Sequence, residues 1–577
     1  MRDVPLTPPA RLVLRPTDTP ETVVPVDPSG TTGIGPVSVT LGGDDRTLSW
    51  SVTADGGPVS LDALAVEWDL GEPPGPPVVF CHGYQSWAPT RARRLGVDAD
   101  PSRTPGSIPL VRAAYHADPG VAAPNELRSE QVTVLDLGEG FRRCIGFTGG
   151  ERHAGTLRVR VEAGRVLLRA EAWLGGATLA AGTTRVLHDV VARRGDDAVA
   201  LLEEWAAQVG AAAGARTRAP SPVGWCSWYH YFHQVTEAAV RANLAAAAEW
   251  PFDVFQVDDG YQVEIGDWLV TNERFPSGVD ALAESITRAG YTAGIWLAPF
   301  LASPTSRVAT QHPGWFAREP GGDRPAIGMY HDVWGGVMWQ LDPTHPEVAE
   351  HLAATARALV DAGYRYLKLD FTFSAAMPGR FADPTRTPAE RVRLAYEAVR
   401  RGAGDDAFLL ACGCPLGPVV GVVDAMRIGA DVAPWWSAPP DERALAGYEE
   451  AAPATRHAFV NTCTRSWQHR RLWLNDPDCV MLRTEATRLD PDAAEGWART
   501  VGASGGLVVV SDDLALLDGR ARRLLDDVVA TNRAADAAAA GGTGPRCIGL
   551  LDPAGPGGLE IGGRRLVVDG ERGHVVR

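Results

Sequence analysis

The sequence is almost without lysine. One lysine, Lys368, stands against 54 arginines among 55 basic residues. Drift in a GC-rich genome accounts for the arginines, in a chain also rich in alanine and glycine, but it does not account for the one exception. Acidic residues outnumber basic ones by 71 to 55, for a net charge of −16. That balance argues against a nucleic-acid or anionic-membrane partner, because both are themselves negative. A neutral substrate such as a sugar is compatible with it. Cysteine is also sparse: the eight are scattered and build no secreted-type disulfide framework. Only Cys412 and Cys414 lie close together, as C-G-C, without the second pair or the histidines that a zinc site requires, so no metal is expected. No stretch approaches the ~18 uncharged apolar residues of a membrane span. The N-terminus, MRDVPLTPPARLVLRPTDTP, has no apolar core of a signal peptide, and a cytoplasmic protein is expected.

What is present divides along the chain. Residues 1–195 read as β structure, with short β-branched runs alternating with Gly, Pro and Asp turns, as in RTLSWSVTADGG. LRVRVEAGRVLLRAEAWL reads as a hairpin turning at Ala163-Gly164. Many short strands with frequent turns predict a β-sandwich. Residues 196–212 predict a helix opening on an Asp pair, and GARTRAPSP a linker, so that 196–222 forms a helical connection. From Val223 the rhythm becomes strand, loop, helix. Strands are expected at 223–228, 254–258, 292–298, 364–370, 408–412, 423–428, 471–474 and 506–510, and eight of them alternating with helices predict a (β/α)₈ barrel over 223–515. The Trp-, His- and Gly-rich stretch 299–345 is expected to form an inserted loop or hairpin over one barrel mouth. Residues 516–577 read as a helix near 516–533, an Ala/Gly-rich bridge, AADAAAAGGTGP, and a β-like tail too small to stand alone.

Carboxylates gather at the C-terminal ends of the predicted strands. Asp258 and Asp259 end the second and Asp370 the fourth; Asp431 follows the sixth, Asp476 and Asp478 the seventh, and Asp512 and Asp513 the eighth. In barrel enzymes that rim carries the active site. Any single Asp after a strand is most simply a helix cap or turn residue. A ring of them interleaved with Trp225, Trp228, Trp296, Trp435 and Trp436 points instead to sugar chemistry: one carboxylate attacks the anomeric carbon, another protonates the leaving oxygen, and aromatic faces pack on pyranose rings. No nucleophile elbow, phosphate loop or H-E-x-x-H is present. His230 and His233, at i, i+3, lack a third ligand nearby and read as structural.

The residues resemble a known family. W-C-S-W-Y-H-Y-F at 225–232, F-Q-V-D-D-G-Y at 255–261, G-D-W-L-V-T at 266–271 and G-I-W-L-A-P-F at 294–300 are similar to the retaining α-galactosidases of glycoside hydrolase family 36. So are Y-R-Y-L-K-L-D-F at 364–371, A-C-G-C-P-L at 411–416, M-R-I-G-A-D-V-A-P-W-W at 426–436 and W-L-N-D-P-D-C at 473–479, while G-Y-Q-S-W at 83–87 extends the likeness into the β-rich region. The resemblance implies Asp370 as nucleophile and Asp431 as acid/base, with Asp258 and Asp259 binding galactose hydroxyls. It implies Trp228, Trp296, Lys368, Cys412 and Arg427 as pocket-lining residues, Trp87 as a residue reaching the pocket from the β-rich region, and no metal or organic cofactor. The chemistry agrees: Lys368 lies two residues before Asp370, so on a strand both face one way, and its ammonium would keep the nucleophile ionised. Retention also requires the two carboxyl groups only ~5–5.5 Å apart. Cys414 stands where relatives often have Ser. The same machinery serves α-N-acetylgalactosaminidases and raffinose-synthase-type galactosyl transferases, and a non-catalytic sugar-binding protein is the remaining reading. Relatives often form homo-oligomers; the shortened C-terminal β element leaves that open.

Overall fold

The computed structural model describes residues 9–27, 29–104, 107–440 and 449–576. Its N-terminal part holds a six-stranded and a nine-stranded sheet, antiparallel throughout. Leu12, Leu64, Val66 and Leu168 from the first and Val37, Val52, Leu135 and Ile145 from the second fill one apolar cluster. Alternation along Thr47–Ala54 puts every second residue in that core, the period-2 signature of a strand with one buried face. The hairpin of Ala154–Glu162 with Arg165–Leu179 turns where it was expected, pairing Glu162 with Arg165. Ala163 (φ 49°) and Gly164 (φ 79°) both take the left-handed conformation that such two-residue turns require. The region is not purely β: a helix, Pro109–Tyr115, interrupts it, opened by a proline at its first position.

Helix Ala198–Ala213 follows, capped by the Asp197 carboxylate, which accepts from the Val199 and Ala200 amides, and closed by Gly214 in the left-handed region. Beyond it, nine strands form a parallel sheet: β1 Val223–Cys226, β2 Val254–Val257, β3 Thr292–Leu297, β4 Tyr364–Leu369, β5 Phe408–Ala411, β6 Ala425–Arg427, β7 Leu474–Asp476, β8 Cys479–Val480 and β9 Val508–Val510. Their order is β7-β6-β5-β4-β3-β2-β1-β9-β8. The two outermost strands, β7 and β8, are separated in the chain only by Pro477 and Asp478, so the sheet is curled and that dipeptide links its two edges.

The strand expected at 471–474 is displaced. Arg471–Trp473 belong to a turn after the short helix Ser466–Gln468, in which the Arg470 amide donates to the Trp473 carbonyl, and pairing starts only at Leu474. β1 likewise stops at Cys226, and Trp228 opens a one-turn helix, Trp228–Tyr231. The insertion after β3 carries its own three-stranded antiparallel sheet of Leu301–Ala302, Ile327–His331 and Gly336–Gln340. The alanine-rich stretch expected as a bridge is helical: Gly519–Ala540 runs through it, since alanine is the best helix former, and ends at the Gly541–Gly542 pair. The C-terminal three-stranded sheet contributes Cys547 and Leu559, and the residue after it Val568, to the large core that includes the curled sheet instead of building one of its own. Among the described residues no helix is long and apolar enough to cross a membrane.

Candidate active site

One pocket opens at the C-terminal ends of the parallel strands, lined by Trp87, Trp228, Tyr229, Asp258, Asp259, Trp296, His331, Trp334, Lys368, Asp370, Phe371 and Asp431. At its floor, Lys368 on β4 is buried with Asp258, which follows β2. Nζ lies 2.7 Å from Asp258 Oδ2 and 3.9 Å from Asp370 Oδ2. The nearer partner is thus Asp258, not the neighbouring Asp370. Burial opposes the ammonium charge, but Asp258 and then Asp370 outweigh it and hold the lysine well above its ordinary range. Asp258 Oδ2 also accepts from Gln256 Nε2 at 2.6 Å. Asp370, just past the end of β4, takes Trp296 Nε1–H on Oδ2 at 3.0 Å and the Phe371 amide on Oδ1 at 2.8 Å. Phe371 pays for that placement with a left-handed backbone (φ 52°), a cost of roughly 1–3 kcal/mol for a non-glycine residue. Its ring offsets the strain by packing edge-on against Trp87 and Trp334, at 5.2 and 5.0 Å between centroids.

Asp431 follows β6 in the loop that begins Ile428-Gly429-Ala430. Its side chain remains 36% accessible at the pocket mouth, and Oδ1 accepts from Arg427 Nη1 at 3.0 Å. The surrounding protein nonetheless desolvates it, which pushes the carboxyl upward; Arg427 pulls it back and Asp370 adds to the rise. Asp370 and Asp431 therefore sit in different surroundings, the first tied to hydrogen-bond donors and the second biased toward its protonated form. Asp259 is pushed up to about 6 by burial, resisted by hydrogen bonds from Gln262 Nε2 at 2.6 Å and Trp334 Nε1 at 2.9 Å.

The N-terminal region reaches this site through residues 83–90. The Ser86 amide donates to the Cys414 carbonyl and the Leu416 amide to the Tyr84 carbonyl. Arg465, fully buried, donates to the carbonyls of Gly83, Gln85, Ser86, Ala88 and Ile428 and to Thr90 Oγ1. With no carboxylate beside it among the described residues, burial pulls this guanidinium down to about 9. Trp87 then projects over Gly413 (φ 51°), where a Cβ would lie 2.8 Å from the indole; only glycine leaves that room.

The pocket brings together eight of the residues expected from the sequence: Trp87, Trp228, Asp258, Asp259, Trp296, Lys368, Asp370 and Asp431. Cys412 and Arg427 are not among its lining. Both are buried beside it, Cys412 close to Asp370 and Arg427 tied to Asp431, Asp476 and Asp478. Four lining residues were not expected. Tyr229 and Phe371 adjoin predicted site residues in sequence and lay inside the quoted motifs. His331 and Trp334 come from the insertion, stacked on each other at 4.3 Å, and only its aromatic composition hinted at them. Other strand-end carboxylates have ordinary duties: Asp512 is buried against Arg483 at 2.7 Å, and Asp513 caps the turn Leu514–Leu516. His230 packs edge-on against Tyr231 outside the pocket.

Residues 212–388 match the family Melibiase. A stretch of 172 residues is 26% identical to α-galactosidase AgaA of Geobacillus stearothermophilus. It covers 28% of this chain and 22% of the relative, and a second relative, from Pediococcus pentosaceus, is spanned over 27% of its length; the matches thus cover about a quarter of the curated relatives. The fold is similar over far more of the chain to an α-galactosidase of Thermus thermophilus solved with p-nitrophenyl α-D-galactopyranoside. That likeness has a TM-score of 0.70 at 27% identity and covers 92% of this chain and 96% of the other. The same enzyme with stachyose gives 0.67 at 28% identity over 85% and 97%. The Geobacillus structure, a GH36 α-galactosidase with 1-deoxygalactonojirimycin, is 14% identical with a TM-score of 0.58 over 92% and 71%, a likeness of fold alone.

Proposed function

We propose that this chain, a melibiase-like glycoside hydrolase of family 36, releases terminal α-linked galactose from small-molecule galactosides with retention of configuration. In this reading residues 223–515 are a (β/α)₈ catalytic barrel, 1–195 a β-sandwich that lends Trp87 to the pocket, 196–222 their helical connection, and 516–577 a helix with a small β element. The observation that carries it is the pairing, in one aromatic-lined pocket, of a carboxylate held by an indole N–H and a backbone amide with a second carboxylate pushed toward protonation. That is the division of labour that double displacement needs.

The Asp370 carboxylate attacks the anomeric carbon. Its C–O bond forms as the bond to the leaving oxygen breaks, and Asp431 delivers its proton to that oxygen. Asp431, now ionised, takes a proton from water, which attacks the galactosyl ester and restores Asp370. Lys368, Asp258 and Asp259 supply a charged floor for sugar hydroxyls, and the faces of Trp87, Trp228, Trp296 and Trp334 enclose the ring. A panel of nitrophenyl α-glycosides tests the assignment. Turnover of the galactoside with initial release of α-galactose is expected; preference for the N-acetylgalactosaminide, or transfer to sugar acceptors in place of hydrolysis, would overturn it.

Asp431→Ala separates the proton donor from the nucleophile. On raffinose-like substrates, whose alkoxide leaves poorly, kcat/KM should fall by about 100-fold or more, the usual worth of a general acid. On a nitrophenyl galactoside, which leaves without protonation, the loss should stay below about tenfold in the same step. Equal losses on both would remove the acid/base role.

A further inference from the structure

The seventh strand ends in two carboxylates, Asp476 and Asp478, to which the mechanism assigns nothing. Both are buried, and both are tied to one guanidinium. Arg427 uses its three corners on three different carboxylates: Nε to Asp476 Oδ2 at 3.0 Å, Nη2 to Asp478 Oδ1 at 2.9 Å, and Nη1 to Asp431 Oδ1 at 3.0 Å. Asp478 makes a second connection to the same place. Its Oδ2 accepts the backbone N–H of Val432, the residue after Asp431, at 2.9 Å, and also the hydroxyl of Tyr229, which lines the pocket. Asp478 holds these contacts from a left-handed backbone (φ 90°) and takes the Cys479 amide on Oδ1 at 2.7 Å; its own amide donates to Asp476 Oδ1 at 3.0 Å. The Asp476-Pro477-Asp478 corner links the two edge strands of the curled sheet, so its geometry is set by the fold.

An arginine paired with a proton donor works against it, because a nearby cation favours the ionised carboxylate. Two buried carboxylates on the other corners answer that charge. We propose that Asp476 and Asp478 are positioning residues for Asp431: they fix the guanidinium and the peptide that hold its carboxyl group, and they offset the cationic charge of Arg427 so that Asp431 can carry a proton. The proposal rests on Asp431 being the acid/base. The other charged or titratable groups facing Asp431 are Asp370 and Lys368 on the β4 side, Asp258 after β2, Cys412 after β5 and Tyr229 after β1; none is substituted in the variants below, and although the Asp478 variants change the acceptor of the Tyr229 hydroxyl, Asp476→Asn leaves it in place. Burial pushes the Asp478 carboxyl upward, but four donors converge on its two oxygens, Arg427 Nη2, the Val432 and Cys479 amides and the Tyr229 hydroxyl, and they favour the carboxylate that supplies the negative charge.

The sign follows. Removing either negative charge leaves Arg427 less compensated, lowers the pH at which Asp431 loses its proton, and moves the alkaline limb of the kcat/KM profile toward acid. Asp478→Asn and Asp476→Asn, each measured on an alkyl and on a nitrophenyl galactoside, should both shift that limb by about one pH unit, with the larger loss at neutral pH on the alkyl substrate. Asp478→Glu keeps the charge while disturbing the contacts, so it should lower kcat/KM without moving the limb. A limb that stays in place in both Asn variants, with kcat/KM reduced evenly across pH, would leave these residues as structural supports and overturn the proposal. A limb shifted as far by Asp478→Glu as by Asp478→Asn would overturn its charge argument. If one Asn variant fails to fold, as judged by a cooperative melt, the other decides. Failure of the acid/base reading itself shows separately, as equal losses on the two substrates in Asp431→Ala.

Discussion

Asp370→Ala is expected to lose at least about 10⁴-fold in kcat while remaining folded, because in the proposed mechanism it removes the atom that forms the covalent bond. Stability should change little. Trp296 Nε1 and the Phe371 amide lose an acceptor, but the site also loses one of several crowded negative charges, and Lys368 keeps its closer partner Asp258. Azide offers a stricter reading. Added to the Ala variant, it enters the space left by the carboxylate and attacks from the same face, so activity on a nitrophenyl galactoside should partly return and the product should be the β-galactosyl azide. Retention of more than about one-tenth of wild-type kcat, or formation of the α-azide, would exclude Asp370 as the nucleophile.

Lys368→Arg is expected to lower kcat/KM by about 1,000-fold although it preserves charge, equivalent to about 4 kcal/mol of transition-state stabilisation. The lone lysine of a 55-cation sequence lies buried with its ammonium 2.7 Å from Asp258 and 3.9 Å from Asp370. An ammonium is a compact charge that fits between two carboxylates. A guanidinium is a wider planar fork on a longer stem. Asp258 Oδ2 is already hemmed by Gln256 Nε2 and Cys226 Sγ, so the fork finds room by advancing into the pocket, the proposed seat of the sugar. For that same reason the melting temperature should stay within a few degrees of wild type, the added atoms going into open space instead of an overpacked core. Near-normal kinetics would return Lys368 to chance survival in an arginine-rich genome.

Much of the site was legible because strand ends impose their own logic. A period of two at the end of β4 turned Lys368 and Asp370, the residue just past it, toward one pocket, and C-terminal strand ends placed Asp258, Asp259 and Asp431 there as well. What failed did so where the backbone departs from the ideal strand. Trp228, at the end of the expected first strand, is carried to the pocket by a one-turn helix instead. Arg427 and Cys412 were expected on the pocket wall and lie beside it. Asp513 proved to be a cap, the ordinary use of an Asp after a strand. In the alanine-rich bridge the helix propensity of the seven residues before Gly541 outweighs the glycines, which end the helix without preventing it.

Local chemistry thus determined the β-rich and strand–helix halves of the chain, the hairpin at Ala163-Gly164, the capped helix after Asp197 and the types of residue that carry the reaction, because hydrophobic period, capping and turn preferences act over a few residues and are written in the sequence itself. Only the tertiary structure decided which charges neutralise one another. Lys368 pairs across strands with Asp258 more closely than with Asp370, two residues away; Arg427 joins Asp431 to Asp476 and Asp478 from nearly fifty residues further on; Trp87 and Trp334 arrive from another region and from an insertion. Those pairings depend on distances of a few ångströms between segments far apart in the chain, and ion-pair strength and desolvation vary steeply over that range.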